Sequence, residues 1–93
     1  MAKIIVRFRG PIAGHITGSA VEVESQNSIT ITELLSRVMK QEPYLQTIWN
    51  SPTEIDRDSM ILCNEVDIGV VGGLNSVVND GDVLTVLPLV HGG

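Results

Sequence analysis

The chain has 93 residues, 43% hydrophobic and 18% charged, which is enough for one domain with a single modest core. Eleven acidic residues outnumber six basic ones, so the net charge is −5. This balance argues against a nucleic-acid-binding protein, whose affinity rests on clustered lysines and arginines. An acidic chain is instead suited to association with a basic protein partner.

No stretch of the sequence approaches the roughly 20 consecutive apolar residues that span a bilayer, so we expect no association with a membrane. The N-terminus, Met1-Ala2-Lys3 and a short alternating run, lacks the long apolar region and cleavage site of a signal peptide. The single Cys63 cannot form an internal disulfide, which agrees with a reducing compartment. We therefore expect a cytoplasmic protein.

The first part of the sequence predicts a β-hairpin. Two runs of alternating apolar and polar residues, 3–9 and 20–24, flank a loop that is rich in glycine. Such a pair of runs is typical of two antiparallel strands joined by a loop. The inward-facing residues are expected to be Ile4, Val6, Phe8, Val21 and Val23.

A capping box predicts the start of the main helix. In Thr30-Ile31-Thr32-Glu33 the Thr30 hydroxyl can accept the backbone N–H of Glu33, whose carboxylate can reach back to the N–H of Thr30. Pro43 marks the end of this helix. Its apolar face consists of residues at helical spacing, namely Ile31, Leu34, Leu35, Val38 and Met39.

The rest of the sequence predicts two more strands, with room for a short one between them. We expect a short turn at 44–49, a polar loop at 50–59, and strands at 60–63 and 83–87. The last strand follows a strong turn signal, Asn79-Asp80-Gly81-Asp82, in which Gly81 can take a positive φ.

The last strand is apolar on both faces, with Leu84 and Val86 on one and Val83 and Leu87 on the other. A single helix covers only one face of a sheet. We therefore expect Val83 and Leu87, together with Leu89, to form a surface for a partner. The alternatives are that the 50–59 loop or a second copy of the chain covers this face.

The sequence closes on Val90-His91-Gly92-Gly93 shortly after this strand. We expect residues 1–88 to form the domain and residues 89–93 a thin tail that can thread into a narrow channel of another protein. The reactive group of this tail would be the α-carboxylate of Gly93.

The order of elements resembles the β-grasp, ubiquitin-like fold, an α+β fold with a four- to five-stranded mixed sheet and one main helix on one face. The segments Leu62-Cys63-Asn64-Glu65, Gly72-Gly73-Leu74, Asn79-Asp80-Gly81-Asp82-Val83 and the terminal diglycine are similar to its sulfur-carrier branch. That branch includes the molybdopterin synthase small subunit, the thiamine-pathway and cysteine-biosynthesis sulfur carriers, and the ubiquitin-related modifiers. His91 is familiar in the modifier group and the 50–59 insertion in the cysteine-biosynthesis carriers, so the pathway stays open.

The resemblance implies a carrier without catalytic residues or bound cofactor of its own. An E1-like adenylating enzyme would use ATP to activate Gly93, and sulfide or an enzyme persulfide would then leave a thiocarboxylate there. Gly92, His91 and Val90 would thread into the partner, and a sulfur-accepting synthase would take the sulfur. The same terminus also fits a modifier that is joined to lysines through Gly93. A non-covalent binding module with an incidental diglycine is a third alternative.

Other candidate sites have weaker support. Two distant histidines, His15 and His91, and one cysteine give no zinc spacing, so we expect no metal site. The loop glycines do not form a phosphate-binding motif. Cys63, inside an apolar strand, is expected to be a small buried hydrophobe. Asp80 and Asp82 are expected to lie in a solvated turn, because further calcium ligands at the required spacing are missing.

Overall fold

A computed structural model gives the structure of the chain and describes residues 1–89. In this part, 3₁₀ turns occupy Pro11–His15, Thr17–Ser19, Pro43–Thr47 and Gly73–Asn75. The strands and helices are, in chain order, β1 (Ala2–Phe8), β2 (Ala20–Ser25), β3 (Ile29–Thr30), α1 (Ile31–Gln41), α2 (Pro52–Asp58), β4 (Ser59–Cys63), β5 (Val66–Asp67), α3 (Ile68–Val71), β6 (Val77–Val78) and β7 (Val83–Pro88).

The main sheet has five strands in the order β2-β1-β7-β4-β5. The predicted hairpin is confirmed, since β1 and β2 are antiparallel neighbours. The central pair, β1 and β7, is parallel and places Ile5 opposite Val83. Because β4 is antiparallel to both β7 and β5, the sheet is mixed. The strands β3 and β6 form a separate two-stranded sheet.

Helix α1 covers one face of the main sheet, as its sequence predicts. All five residues of its apolar face are buried, and they pack with the inward residues of β1, β2 and β7 in one core. Thr30 caps the helix by accepting the N–H of Glu33 at 3.1 Å. The reciprocal hydrogen bond predicted from the Thr30 N–H to the Glu33 carboxylate is wrong. That carboxylate accepts instead from the Arg37 guanidinium, one turn later, at 3.4 Å.

The segment 50–59 was expected to be a polar loop, and this expectation is wrong. Residues Pro52–Asp58 form α2, with Pro52 in the first turn, where its fixed φ favours a helix and its missing N–H removes no hydrogen bond. Ile55 is fully buried in the core. A seven-residue helix with one buried apolar side chain leaves no readable period, so only the proline was informative. The expected turn at 44–49 is confirmed as the 3₁₀ turn Pro43–Thr47.

None of the helices within residues 1–89 combines the length and the apolar character that crossing a bilayer requires.

Candidate functional site

The face of the main sheet opposite α1 carries an apolar strip. The register across β1, β7 and β4 places Ile5 opposite Val83, Thr85 opposite Leu62, and Leu87 opposite Met60. Val83 and Leu87 are half-buried, while the Met60 side chain is 38% exposed. We call Ile5, Met60, Leu62, Val83 and Leu87 the open-face strip.

Helix α2 does not cover Met60 in this strip. The helix contacts α1 and β4, and its buried residue Ile55 belongs to the core on the other side of the sheet. The proposal that the 50–59 segment shields the open face therefore receives no support. The strip is consistent with a surface on which another protein docks, and that role stays a prediction for Val83, Leu87 and Leu89.

The ladder between β7 and β4 continues to Leu89, whose side chain is 61% exposed. At one end, the Asn64 N–H donates to the Val83 carbonyl at 2.8 Å; at the other, the Leu89 N–H donates to the Asp58 carbonyl at 2.8 Å. Pro88 stands opposite Ser59, between hydrogen-bonded pairs, so its missing N–H removes no bond to β4. The chain is therefore held up to Leu89.

The Asp58 carboxylate adds a second attachment at this point. It accepts the indole N–H of Trp49 at 3.1 Å and two guanidinium N–H groups of Arg57 at 2.8 and 3.0 Å. Trp49 itself is almost completely buried. The hydrogen bonds from Arg57, supported by that from Trp49, lower the pKa of Asp58 against a smaller opposing effect of burial. We call Trp49, Arg57 and Asp58 the tail-root cluster.

The turn before β7 uses its carboxylates for its own hydrogen bonds. Asp82 accepts from the Asn79 N–H at 2.8 Å and from the Asn64 side chain at 2.9 Å, while Asp80 accepts the Lys3 N–H at 2.8 Å. Gly81 has a φ of 87°, as its position in the turn predicts. Within residues 1–89, no three His, Cys, Asp or Glu side chains form a group that could hold a metal ion.

The sequence also singles out Cys63, His15 and the last four residues. Cys63 is half-buried at the end of β4, and burial, followed by the charge of Asp82, raises the pKa of its thiol. A raised pKa disfavours the nucleophilic thiolate, in agreement with a packing role. His15 stacks on Tyr44 with 4.2 Å between ring centres. The predicted tail residues Val90, His91, Gly92 and Gly93 lie outside the described residues.

Sequence reasoning missed the tail-root cluster. Trp49 and Asp58 are nine positions apart in the sequence, and no motif connects them. The available signal was indirect. A tryptophan that is buried places its N–H beside an acceptor, and Asp58 was one of several acidic residues nearby.

A five-stranded mixed sheet with one main helix on one face and a central parallel pair defines a β-grasp, ubiquitin-like protein. The ThiS family model matches residues 12–93, and the chain belongs to this family. The family and its structural neighbours are ubiquitin-like sulfur carriers and modifiers. None of the curated proteins matches the chain.

Solved structures of similar fold cover almost the whole chain. A chain of the Amycolatopsis orientalis BexX/CysO complex is 29% identical, with a TM-score of 0.69, over 97% of this chain and 99% of that one. Small archaeal modifier protein 1 from Haloferax volcanii is 19% identical, with a TM-score of 0.77, over 97% and 100%. A chain of the Helicobacter pylori complex of molybdopterin-converting factor subunits 1 and 2 is 24% identical, with a TM-score of 0.60, over 98% and 99%.

Proposed function

We propose that this chain is a sulfur-carrier protein whose Gly93 carboxyl is adenylated by a partner and converted to a thiocarboxylate. The observation that supports this most is that one strand serves two purposes. Strand β7 carries Val83 and Leu87 of the open-face strip, and the same strand leads through Leu89 towards Gly93. A partner that docks on the strip therefore has the tail within reach.

The proposed chemistry begins with activation of the carboxylate. An oxygen of the Gly93 carboxylate attacks the α-phosphorus of ATP, and pyrophosphate leaves with the electrons of the broken P–O bond. The resulting acyl adenylate has AMP as a good leaving group, which a free carboxylate lacks. Sulfide then attacks the carbonyl carbon, AMP leaves, and a thiocarboxylate remains. If an enzyme persulfide attacks instead, a second thiol cleaves the acyl disulfide and is oxidised to a disulfide.

The absence of side chains at the two terminal glycines fits this chemistry. Gly92 and Gly93 have no Cβ, so they can adopt backbone angles that other residues avoid and can approach the walls of a channel closely. His91 and Val90 precede them and would lie in the mouth of the channel. The carrier supplies the acyl group and the docking surface, and the partners supply the ATP, the sulfur and the catalytic residues.

Two kinds of partner follow from this proposal, an E1-like adenylating enzyme and a synthase that accepts the sulfur. The Amycolatopsis and Helicobacter neighbours come from complexes in which a second protein is bound, which supports the expectation that this chain works with a partner. A cytoplasmic location goes with the proposal, because ATP-dependent activation needs cellular ATP.

The deciding experiment is the intact mass of the protein purified from its source cells. Replacement of one oxygen by sulfur, localised to the terminal peptide, would establish the thiocarboxylate and also show that the chain ends at Gly93. A variant without Gly93 is the control and should keep the fold but lose the modification. A protein that is active in its pathway and never carries sulfur at Gly93 would contradict the proposal.

A second candidate function is protein modification through Gly93. The likeness to small archaeal modifier protein 1, with a TM-score of 0.77, favours it because that protein is named as a modifier. In this case a lysine amine of a target would attack the activated carbonyl, AMP would leave, and an isopeptide bond would form. Diglycine remnants on lysines and conjugates of high mass, both dependent on Gly93, would support this function over sulfur transfer.

A further inference from the structure

The basic residues of this acidic chain divide into two groups of three. Lys3 pairs with Glu22 at 3.9 Å, Arg37 with Glu33 at 3.4 Å, and Arg57 with Asp58 at 2.8 Å. Within residues 1–89, no acidic side chain lies within 4.0 Å of the basic nitrogens of Arg7, Arg9 and Lys40. The chain has eleven acidic residues, so the lack of a carboxylate partner distinguishes Arg7, Arg9 and Lys40 from the other three basic residues.

Two of these three residues are neighbours beside the open-face strip. Arg7 is exposed on β1 and stands opposite Thr85 of β7. Arg9 is also exposed, and its N–H donates to the Val86 carbonyl at 3.0 Å, which continues the register so that Arg9 lies beside Leu87. Both arginines are therefore at the end of the sheet from which β7 leads to the tail.

The pocket that the two arginines line contains no carboxylate. They line a surface pocket together with Phe8 and the Gly18–Ala20 turn, and none of these residues is acidic. Guanidinium groups bind carboxylates with two parallel hydrogen bonds and keep their charge at any physiological pH. An acidic side chain of another molecule is therefore the group that this pocket complements.

We propose that Arg7 and Arg9 bind carboxylates on the protein that docks on the open-face strip. The inference deepens the proposed function, on which it rests, by giving the chemistry of the partner surface: apolar opposite the strip and acidic beside Arg7 and Arg9. The net charge of −5 alone predicts a basic partner. The local charge is positive instead at the end of the sheet where β7 ends, and this reversal orients the partner so that its channel faces Leu89, from which the chain leads on to Gly93.

Charge reversal tests the proposal against a matched control. Arg7→Glu and Arg9→Glu are each compared with Lys40→Glu, which makes the same change in net charge at an exposed position of α1. The readout is the rate at which newly made protein gains sulfur or an isopeptide bond at Gly93 in source cells, at equal protein level. We expect each arginine variant to be slower by about tenfold, Lys40→Glu to match the parent, and Arg7→Lys to retain most of the rate.

Carbodiimide cross-linking gives a second readout that does not depend on Gly93 chemistry. In the Arg7→Lys and Arg9→Lys variants, the introduced amines can be joined to carboxylates that touch them. We expect cross-links from positions 7 and 9 to Asp or Glu of a second protein, which are lost when Leu87 is replaced by Ser. Cross-links to this chain's own terminal carboxylate would overturn the proposal, as would arginine variants that behave like Lys40→Glu.

The two readouts also separate this inference from the proposed function. An unmodified Gly93 together with cross-links to a partner would contradict the proposed carrier function. The same result would support the inference that the partner surface beside Arg7 and Arg9 is acidic. A modified Gly93 with an unchanged rate of modification in both Arg7→Glu and Arg9→Glu would support the carrier function. It would contradict the proposed binding of partner carboxylates by the two arginines.

Discussion

The backbone N–H of Leu89 donates to the backbone carbonyl of Asp58 at 2.8 Å, and this bond joins the end of β7 to the end of α2. The Asp58 side chain is in turn held by the buried indole of Trp49 and by Arg57. The end of β7 is thus held by helix α2, a helix that the sequence pattern did not predict. For the proposed carrier function, this attachment fixes Leu89, the residue from which the chain leads on to Gly93.

We predict that Asp58→Ala weakens the attachment of Leu89 to the end of α2. The substitution removes the acceptor of the Trp49 N–H and the partner of Arg57, so α2 loses its hold on the end of β7. The amide of Leu89 should exchange with solvent about tenfold faster, while the amide of Arg9 at the neighbouring ladder keeps its rate. Hydrogen exchange followed by NMR measures both.

Ser59→Ala is the matched control for this variant. Ser59 is buried next to Asp58, and its hydroxyl has no hydrogen-bond partner within residues 1–89. Its removal should leave the free energy of unfolding and the exchange at Leu89 nearly unchanged. Equal exchange rates at the Leu89 amide in the parent and in Asp58→Ala would show that the Asp58 carboxylate does not stabilise the attachment of Leu89 to α2.

The tail-root cluster should also respond to acid. The pKa of Asp58 is lowered in the folded protein, so its contribution to stability is complete above the ordinary carboxylate range and disappears as the pH falls through the lowered value. Trp49 is the one tryptophan of the sequence and reports on this change. Its fluorescence should be constant from pH 7 to about 4 and change below that. In Asp58→Asn this step should be absent; an identical titration would assign it to another group.

We predict that Ile55→Ala destabilises the fold by about 2–4 kcal/mol, because Ile55 is fully buried and its truncation leaves a cavity in the core. Urea unfolding measures the change. Asp56→Ala, exposed on the same helix, is the control and should stay within about 0.5 kcal/mol of the parent. Similar values for the two variants would mean that α2 is dispensable to the core.

Substitutions on the open-face strip should separate docking from stability. Met60→Ser and Leu87→Ser remove apolar surface at exposed and half-buried positions, so we expect the rate of Gly93 modification to fall while the protein stays folded. Val70→Ser, at a side chain that is 78% exposed on α3, is the comparison and should keep the parent rate. Unfolding in urea, recorded for each variant, confirms that only docking has changed.

Gly92→Val should prevent modification of Gly93. The branched side chain disfavours the backbone angles open to glycine and widens the tail where the channel is expected to be narrow. We expect an unmodified terminus by intact mass and an unchanged midpoint in urea. Normal modification of this variant would rule out a narrow channel.

Much of the local structure could be predicted from the sequence. The apolar period of α1, the cap at Thr30 and the positive φ of Gly81 each depend on a few neighbouring residues, and each is confirmed. The alternation in β1 and β2 likewise predicted the hairpin. The family resemblance, carried by the turns and the diglycine, is confirmed by the match to residues 12–93.

The tertiary structure decided which distant segments meet. Nothing near Ile5 or Val83 in the sequence shows that their strands pair in parallel at the centre of the sheet. The same holds for Asp58 and Leu89, and for the two arginines that end up beside the strip. Period, caps and turns reflect interactions over a few residues, whereas strand pairing depends on how the whole chain closes around its core. Sequence therefore determined the main helix, the hairpin and the family of this protein, whereas the tertiary structure decided that Leu89 meets Asp58 and that Arg7 and Arg9 lie beside the open-face strip.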